Sequence, residues 1–125
     1  TLEVKFLRKV SDREYIYYLV HDAPSGTPDR ANPMGGVHGG FAATVLDTVT
    51  GCATQTALAA GESYGTIELG VKMCRPLPFN VTLRAEGRVI NKSRSLVISE
   101  GDIRDDAGVL YAHATATCMI LRSST

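Results

Sequence analysis

One carboxylate of the chain stands among apolar and small residues. Asp47 lies in segment 38–60, which contains no Lys, Arg or Glu. An ionised carboxylate that is buried without partners is costly, and Asp47 lies beyond the first helical turn, so the helix dipole does not stabilise it. We therefore interpret Asp47 as a desolvated base or nucleophile. The structural alternatives are a helix that starts later, or a pairing of Asp47 with Arg or Thr at a subunit contact.

Two glycines precede this acid by about two helical turns. Gly39 and Gly40 stand where the chain passes from a loop into the predicted helix, and the first amides of a helix have no intrahelical acceptor. Without side chains, these amides can be approached closely by a ligand oxygen, at the positive end of the helix dipole. The pair predicts an oxyanion hole, the alternative being an ordinary glycine-rich helix start. His38 fits a loop-capping hydrogen bond as well as a catalytic role.

The element that must carry these residues is a helix. Apolar and small residues recur at helical spacing over 38–60, and Gly61 is a typical C-terminal stop. A surface helix normally shows a charged stripe, so its absence here predicts a helix that is buried on most sides. The preceding segment 22–36 is dense in Pro, Gly, Asn and Asp and predicts a long loop.

Alternating apolar and polar residues predict strands on both sides of the helix. In segment 66–75 the alternation places Thr66 on the face opposite Ile67 and Leu69. The other predicted strands cover 1–20, with a turn at Ser11 and Asp12, then 81–90, 96–104 and 109–121. The expected architecture is a single α+β domain over 1–125, with one buried helix embraced by an antiparallel sheet. Pairing between subunits would cover the sheet edges.

Composition narrows the function classes. A chain of 125 residues with 44% hydrophobic residues fits one packed domain. Lys plus Arg equals Asp plus Glu at 13 each, which argues against a nucleic-acid-binding protein. The charged N-terminal segment is unlike a signal peptide, and no apolar run approaches the ~20 residues of a membrane span. We expect a cytoplasmic protein without a membrane partner.

The sulfur and imidazole groups do not form a metal or disulfide pattern. The three cysteines, Cys52, Cys74 and Cys118, are odd in number and share no CxxC spacing. We expect them to be small buried hydrophobes. The histidines and acids show no HExxH-like spacing, so no metal is predicted, and no cofactor motif is present in the sequence.

The segment around the two glycines resembles a family signature. Asn32-Pro33-Met34-Gly35-Gly36-Val37-His38-Gly39-Gly40, followed by Leu46-Asp47, resembles the hotdog-fold thioesterases of the phenylacetate-degradation type, related to 4-hydroxybenzoyl-CoA thioesterase. Thr66-Ile67-Glu68-Leu69 and Arg75-Pro76 resemble the strand that follows in this family, and the resemblance spans 32–121. It implies a hotdog fold, in which an antiparallel sheet wraps around one long central helix. It also implies hydrolysis of an aryl or short- to medium-chain acyl-CoA to the free acid and CoA, with no cofactor.

The resemblance also implies roles for individual residues. Asp47 is expected to be the nucleophile or general base, and the Gly39 amide to polarise the thioester carbonyl. His38 and Asn32 are expected to line the site, and Thr66 to hold a hydroxyl near the attacking water. Active sites in this family form at a dimer interface, so Asp47 would face Gly39 of a neighbouring subunit, and two dimers would form a homotetramer.

The phosphates of CoA need cations and amide donors. Gly40 at the helix start and Arg75 at a strand end are candidate substrate-binding residues. The polar turn contributes four more candidates, Lys92, Ser93, Arg94 and Ser95. A solvated β-turn explains each of these four equally well.

Two other functions stay open. A hotdog-fold enoyl-CoA hydratase or dehydratase would use His38 and Asp47 for proton transfer, although glycines followed by an acid deep in the helix fit a thioesterase better. A non-catalytic acyl-CoA-binding module on the same scaffold would gain nothing from a buried acid. The sequence does not identify the acyl group, because core packing explains Tyr64 and Met73 as well as an acyl pocket does.

Overall fold

In the described residues, a six-stranded antiparallel sheet packs one face against one helix. The computed structural model describes residues 2–11, 13–21, 39–78 and 80–122. The helix is α1 (Gly39–Thr56), and the sheet order is β1-β2-β4-β5-β6-β3. The strands are β1 (Leu2–Ser11), β2 (Glu14–His21), β3 (Glu62–Met73), β4 (Thr82–Lys92), β5 (Leu96–Asp105) and β6 (Leu110–Arg122). The predicted α+β class and the hotdog arrangement of a sheet around one long helix are confirmed.

The inner face of α1 lies directly on the sheet. Leu46, Val49 and Ala53 are fully buried against it, and a fully buried Leu or Val side chain contributes about 1.5–3 kcal/mol. A Cβ atom on Gly87 in β4 would collide with the backbone carbonyl of Val49. One on Gly101 in β5 would lie 3.1 Å from Val49 Cγ1. Glycine at these two strand positions therefore lets the helix backbone approach the sheet closely.

The outer face of α1 contradicts the prediction that the helix is buried on most sides. Gly40, Thr44, Asp47, Thr48 and Gln55 are exposed in the single chain. The hydroxyls of Thr44 and Thr48 each donate to a carbonyl four residues earlier, at 2.9 Å. Threonine can thus satisfy its polar group within the helix, so an exposed face can be polar without Lys, Arg or Glu. The absence of a charged stripe therefore does not require this face to be buried within one chain.

The edge strand β3 departs from simple alternation. Its pairing with β6 shifts by one residue between Thr66 and Glu68, so Ile67 stands in a β-bulge. Thr66 pairs with the buried Cys118, and Leu69 also pairs with a buried residue of β6. Paired residues share a face of a sheet, so Thr66 and Leu69 both face the helix. The prediction that placed Thr66 on the opposite face is wrong because one extra residue inverts the alternation.

The remaining predictions of secondary structure agree with the described residues, with corrections at the end of the helix and at the cysteines. The strands after the helix and the turns between them are confirmed. The helix ends at Thr56 rather than residue 60, and Gly61 has a φ of 81° in the turn that follows. The three cysteines are free, but only Cys118 is buried as predicted; Cys52 is partly buried, and Cys74, which follows the end of the edge strand β3, is exposed. The predicted loop 22–36 lies outside the described residues.

The described part of the chain contains neither a membrane-spanning helix nor a metal cluster. No helix there is long and apolar enough to cross a lipid bilayer. No group of three or more His, Cys, Asp or Glu side chains there is arranged to hold a metal ion.

The sheet face turned away from the helix carries a cluster of paired charges. Asp102 on β5 is 4% exposed and accepts hydrogen bonds from Arg88 at 3.2 Å and from His113 at 2.5 Å. Arg104 lies 3.5 Å from the same carboxylate, and Arg88 also donates to Glu100 at 2.6 Å. Burial opposes ionisation of Asp102, but the hydrogen bonds from His113 and Arg88 outweigh it and hold its pKa below the ordinary value.

Candidate active site

Asp47 lies at the middle of the exposed face of α1. Its neighbours one turn before and one residue after are Thr44 and Thr48, whose hydroxyls are already bonded to the helix backbone. Within the described residues, the Asp47 side chain has no hydrogen bond and no ion pair. Its carboxylate is therefore available to a ligand or to another chain. Burial within a single chain, which was expected for this acid, is not observed.

The N-terminal turn of α1 is open to a ligand. The helix begins at Gly39, and its first turn contains no acidic residue. A Cβ atom built on Gly40 meets nothing within 4 Å, and Gly40 is exposed. The Cβ side of Gly40 is therefore open among the described residues, and the first amides of a helix have no intrahelical acceptor. These are the features that an oxyanion hole requires.

The glycine amides and the carboxylate are too far apart to act on one atom within a single chain. Gly39 and Asp47 are eight residues apart on a continuous helix, which corresponds to about 12 Å along its axis. A thioester carbonyl that accepts a hydrogen bond from the Gly39 amide therefore cannot also contact Asp47 of the same helix. Any reaction that needs both groups requires a second chain.

A set of hydroxyl and thiol groups lies between the helix and the sheet, on the C-terminal side of Asp47. The Thr66 hydroxyl is 3.7 Å from Cys118 Sγ, and the Thr54 hydroxyl is at the same distance from that sulfur. Thr54 also shares a hydrogen bond with Ser99 at 2.9 Å. The β3 bulge thus brings Thr66 to the helix side of the sheet, and its predicted role near the attacking water stays a prediction.

Sequence reasoning missed one contact in this region. The hydroxyl of Tyr64 lies directly against Gly51 of α1, in the position where a Cβ would be. Gly51 is four residues after Asp47 and therefore lies on the same side of the helix. A glycine in the interior of a helix is unfavourable by about 1 kcal/mol relative to alanine, and that cost was a signal in the sequence for a close approach at this position.

The predicted phosphate-binding residues are partly engaged in structural contacts. The Lys92 ammonium donates to the Ala57 carbonyl at 2.9 Å and lies 3.4 Å from Glu62. Arg75 donates to the Leu110 carbonyl at 2.7 Å. Ser93 bonds to the backbone of its own turn, and the carbonyls of Arg94 and Ser95 accept bonds from β6 residues.

The 92–95 turn lies beside the C-terminal end of α1, as the Lys92 bond to Ala57 shows. It is separated from Gly39 by the length of the helix, roughly 25 Å. Within one chain the turn and the glycine amides therefore do not form one site. Asn32 and His38 lie outside the described residues, so their predicted roles stay predictions.

Burial and neighbouring charges change two pKa values near Asp47. Burial raises the pKa of the Cys52 thiol. Burial also raises the pKa of Tyr64, and the charges of Cys52, Cys118 and Asp47 act in the same direction. Cys52 is therefore a poor nucleophile at neutral pH, and the Tyr64 hydroxyl keeps its proton.

Comparisons with known proteins identify the family of this chain. A family model described as the thioesterase superfamily matches residues 34–112. The phenylacetic acid degradation-related protein of Ralstonia eutropha JMP134 is 30% identical, with a TM-score of 0.76 over 91% of this chain and 83% of that chain. A Bacillus halodurans protein solved with CoA is 29% identical, with a TM-score of 0.74 over 94% and 74%. A Haemophilus influenzae thioesterase shares the fold at 18% identity, with a TM-score of 0.78 over 99% and 80%. Among curated proteins, no sequence relative was found.

Proposed function

This chain belongs to the thioesterase superfamily and is an acyl-CoA thioesterase, and we propose that Asp47 carries its reaction. The reaction converts an acyl-CoA, with an aryl or a short- to medium-chain acyl group, and water into the free acid and CoA. The observation that supports the assignment is the state of Asp47. It is a carboxylate without a partner among the described residues, on a helix face without cations. The solved relative with bound CoA supports the class of substrate.

The active site in this proposal is shared between two subunits. The axial separation of about 12 Å between Gly39 and Asp47 prevents them from acting together in one chain. A second copy with its helix antiparallel to the first would place Gly39 of one chain opposite Asp47 of the other. The exposed face of α1 is suited to such a contact because most of its residues are glycine or threonine and only Asp47 among them is charged. Association through a two-fold axis would create two identical sites, and two such dimers would form the proposed tetramer.

The carbonyl oxygen of the thioester would accept a hydrogen bond from the Gly39 amide. In one route Asp47 attacks the carbonyl carbon, the C–S bond breaks, CoA leaves as a thiolate, and water then hydrolyses the mixed anhydride. In the other route Asp47 takes a proton from a water that attacks the carbon directly, the C–S bond breaks, and the departing CoA thiolate takes up the proton from Asp47. Both routes consume one water and give the same products. Thr66, His38 and Asn32 would orient the thioester or the water, and Arg75, Gly40 and the 92–95 turn would contact the CoA moiety.

A panel of acyl-CoAs tests the activity, with CoA release measured by a thiol reagent. We expect Asp47→Asn to lower kcat by about 10²- to 10⁴-fold, the usual contribution of a positioned acid or base. Asp106→Asn, an exposed aspartate in the β5–β6 turn, is the matched control and should keep full activity. An active Asp47→Asn enzyme would remove Asp47 from the mechanism. Conversion of an enoyl-CoA without CoA release would favour a hydratase instead.

Mixing two inactive variants tests the shared site. Gly39→Pro removes the amide donor while keeping a residue that is tolerated at a helix start. When Gly39→Pro and Asp47→Asn subunits are unfolded and refolded together, half of the dimers contain both variants, and each has one intact site. Activity should therefore return to roughly a quarter of the wild-type value. No recovery in the mixture, when each variant alone is folded and dimeric, would contradict a site built from two chains.

A further inference from the structure

The Tyr64 hydroxyl is held in a fixed place beside the helix. Tyr64 lies on the helix side of β3, because it pairs with the buried Ile120 of β6. Its ring packs against a buried cluster that includes Val97 and Cys118. A ring fixed by packing on a strand has little freedom to move its hydroxyl. The side chain thus directs one polar atom to a defined point on α1.

That point is on the Asp47 side of Gly51. Every Cα–Cβ bond of a helix tilts towards the N-terminus, so the Cβ position of Gly51 lies towards the preceding turn, which contains Asp47. The Tyr64 hydroxyl occupies this position, and the ring carbon that bears it lies 3.4 Å from it. Residues four apart on a helix have Cβ atoms about 5–6 Å from each other. One water molecule can bridge polar groups at this separation.

The Tyr64 hydroxyl is also available to form a hydrogen bond. Within the described part of the chain the Tyr64 hydroxyl makes no hydrogen bond, although the ring is half-buried. A buried tyrosine hydroxyl usually has a partner. Because burial and nearby charges raise the pKa of Tyr64, the group stays a neutral donor at neutral pH, and it can also accept a hydrogen bond.

We propose that Tyr64 is a positioning residue of the thioesterase site, whose hydroxyl holds the attacking water beside Asp47, and that Gly51 is glycine because only glycine leaves room for this hydroxyl. The inference rests on the proposed function, since it gives Tyr64 a task in that reaction. It assigns no covalent step to Tyr64. The water remains the reactant, and Asp47 remains the base or nucleophile.

Tyr64→Phe removes the hydroxyl and keeps the packed ring. We expect its kcat to fall about tenfold, the effect of losing one positioning hydrogen bond, while KM for the acyl-CoA changes less than about twofold. Tyr111→Phe is the matched control. The Tyr111 hydroxyl donates to Asp105 at 3.0 Å in the β5–β6 hairpin, away from α1, so its loss should leave kcat unchanged.

Gly51→Ala tests the same contact from the helix side. The added methyl group collides with the Tyr64 hydroxyl, so kcat should again fall about tenfold, and the Tm should decrease. In the Tyr64→Phe background the nearest ring atom is 3.4 Å away, an ordinary contact distance. There, Gly51→Ala should leave kcat unchanged and raise the Tm, since alanine favours helix more than glycine.

The outcomes separate this inference from the proposed function. A wild-type protein that releases no CoA from any acyl-CoA would overturn both. An active wild type, with an inactive Asp47→Asn and a fully active Tyr64→Phe, would overturn the role of Tyr64 alone. Equal effects of Gly51→Ala in the wild-type and Tyr64→Phe backgrounds would refute the steric pairing. A tenfold lower kcat in both single variants, with no further loss in the double variant, supports the proposal.

Discussion

Two aspartates on opposite sides of the structure differ in their burial and in their charged partners. Asp102, on the sheet face away from the helix, is buried and has Arg88, Arg104 and His113 as partners. Asp47, on the outer face of α1, is exposed in the single chain and has no side-chain partner among the described residues. The charge of Asp102 is used within the fold, whereas that of Asp47 is available for chemistry. Partners, more than burial, distinguish a structural carboxylate from a candidate catalytic one.

Removing the buried charge should have the largest effect on stability. Asp102→Asn removes the anion shared by Arg88, Arg104 and His113, and hydrogen bonds to a charged group contribute about 1.5–3 kcal/mol. We expect a loss of this size in the free energy of unfolding, measured with urea, while kcat per folded molecule stays unchanged. A fall in kcat comparable to that of Asp47→Asn would mean that the two aspartates are not functionally distinct.

Protonation of Asp102 should make the stability depend on pH. We expect this effect to be smaller than that of the Asp102→Asn substitution. The folded pKa of Asp102 lies below the ordinary value of 3.8, which applies to the unfolded chain. Below about 3.8 the unfolded chain therefore binds a proton before the folded chain does, and stability falls as pH is lowered towards the folded pKa. Urea unfolding at stepped pH should show this loss in the wild type and a shallower slope in Asp102→Asn. Identical slopes in the two proteins would exclude Asp102 as the source.

The exposed aspartate should contribute least to stability. The Asp47 side chain has no hydrogen bond or ion pair to lose among the described residues, and surface substitutions usually change stability by less than about 0.5 kcal/mol. We expect the urea midpoint of Asp47→Asn, at a concentration where the protein is monomeric, to match the wild type within this limit. A large decrease would show a structural role for Asp47 and weaken the comparison.

The sequence alone predicted most of the fold and part of the site. Alternation located the strands after the helix, and the turn residues located the hairpins, because these signals are local. The β3 bulge was not predictable, since the alternation of 66–75 is unbroken and only the pairing with β6 reveals the extra residue at Ile67. The contact between Tyr64 and Gly51 joins a strand to a helix and has no local pattern beyond one helical glycine.

The sequence determined which residues could do chemistry: an acid placed eight residues after a glycine, on a helix without other charges. It could not determine how exposed that acid is, because threonines bonded to their own backbone look the same in the sequence whether a helix face is buried or open. Only the tertiary structure decided that Asp47 lies on an open face and that Thr66 and Tyr64 face the helix. Both results depend on packing between segments distant in sequence, which local patterns do not encode.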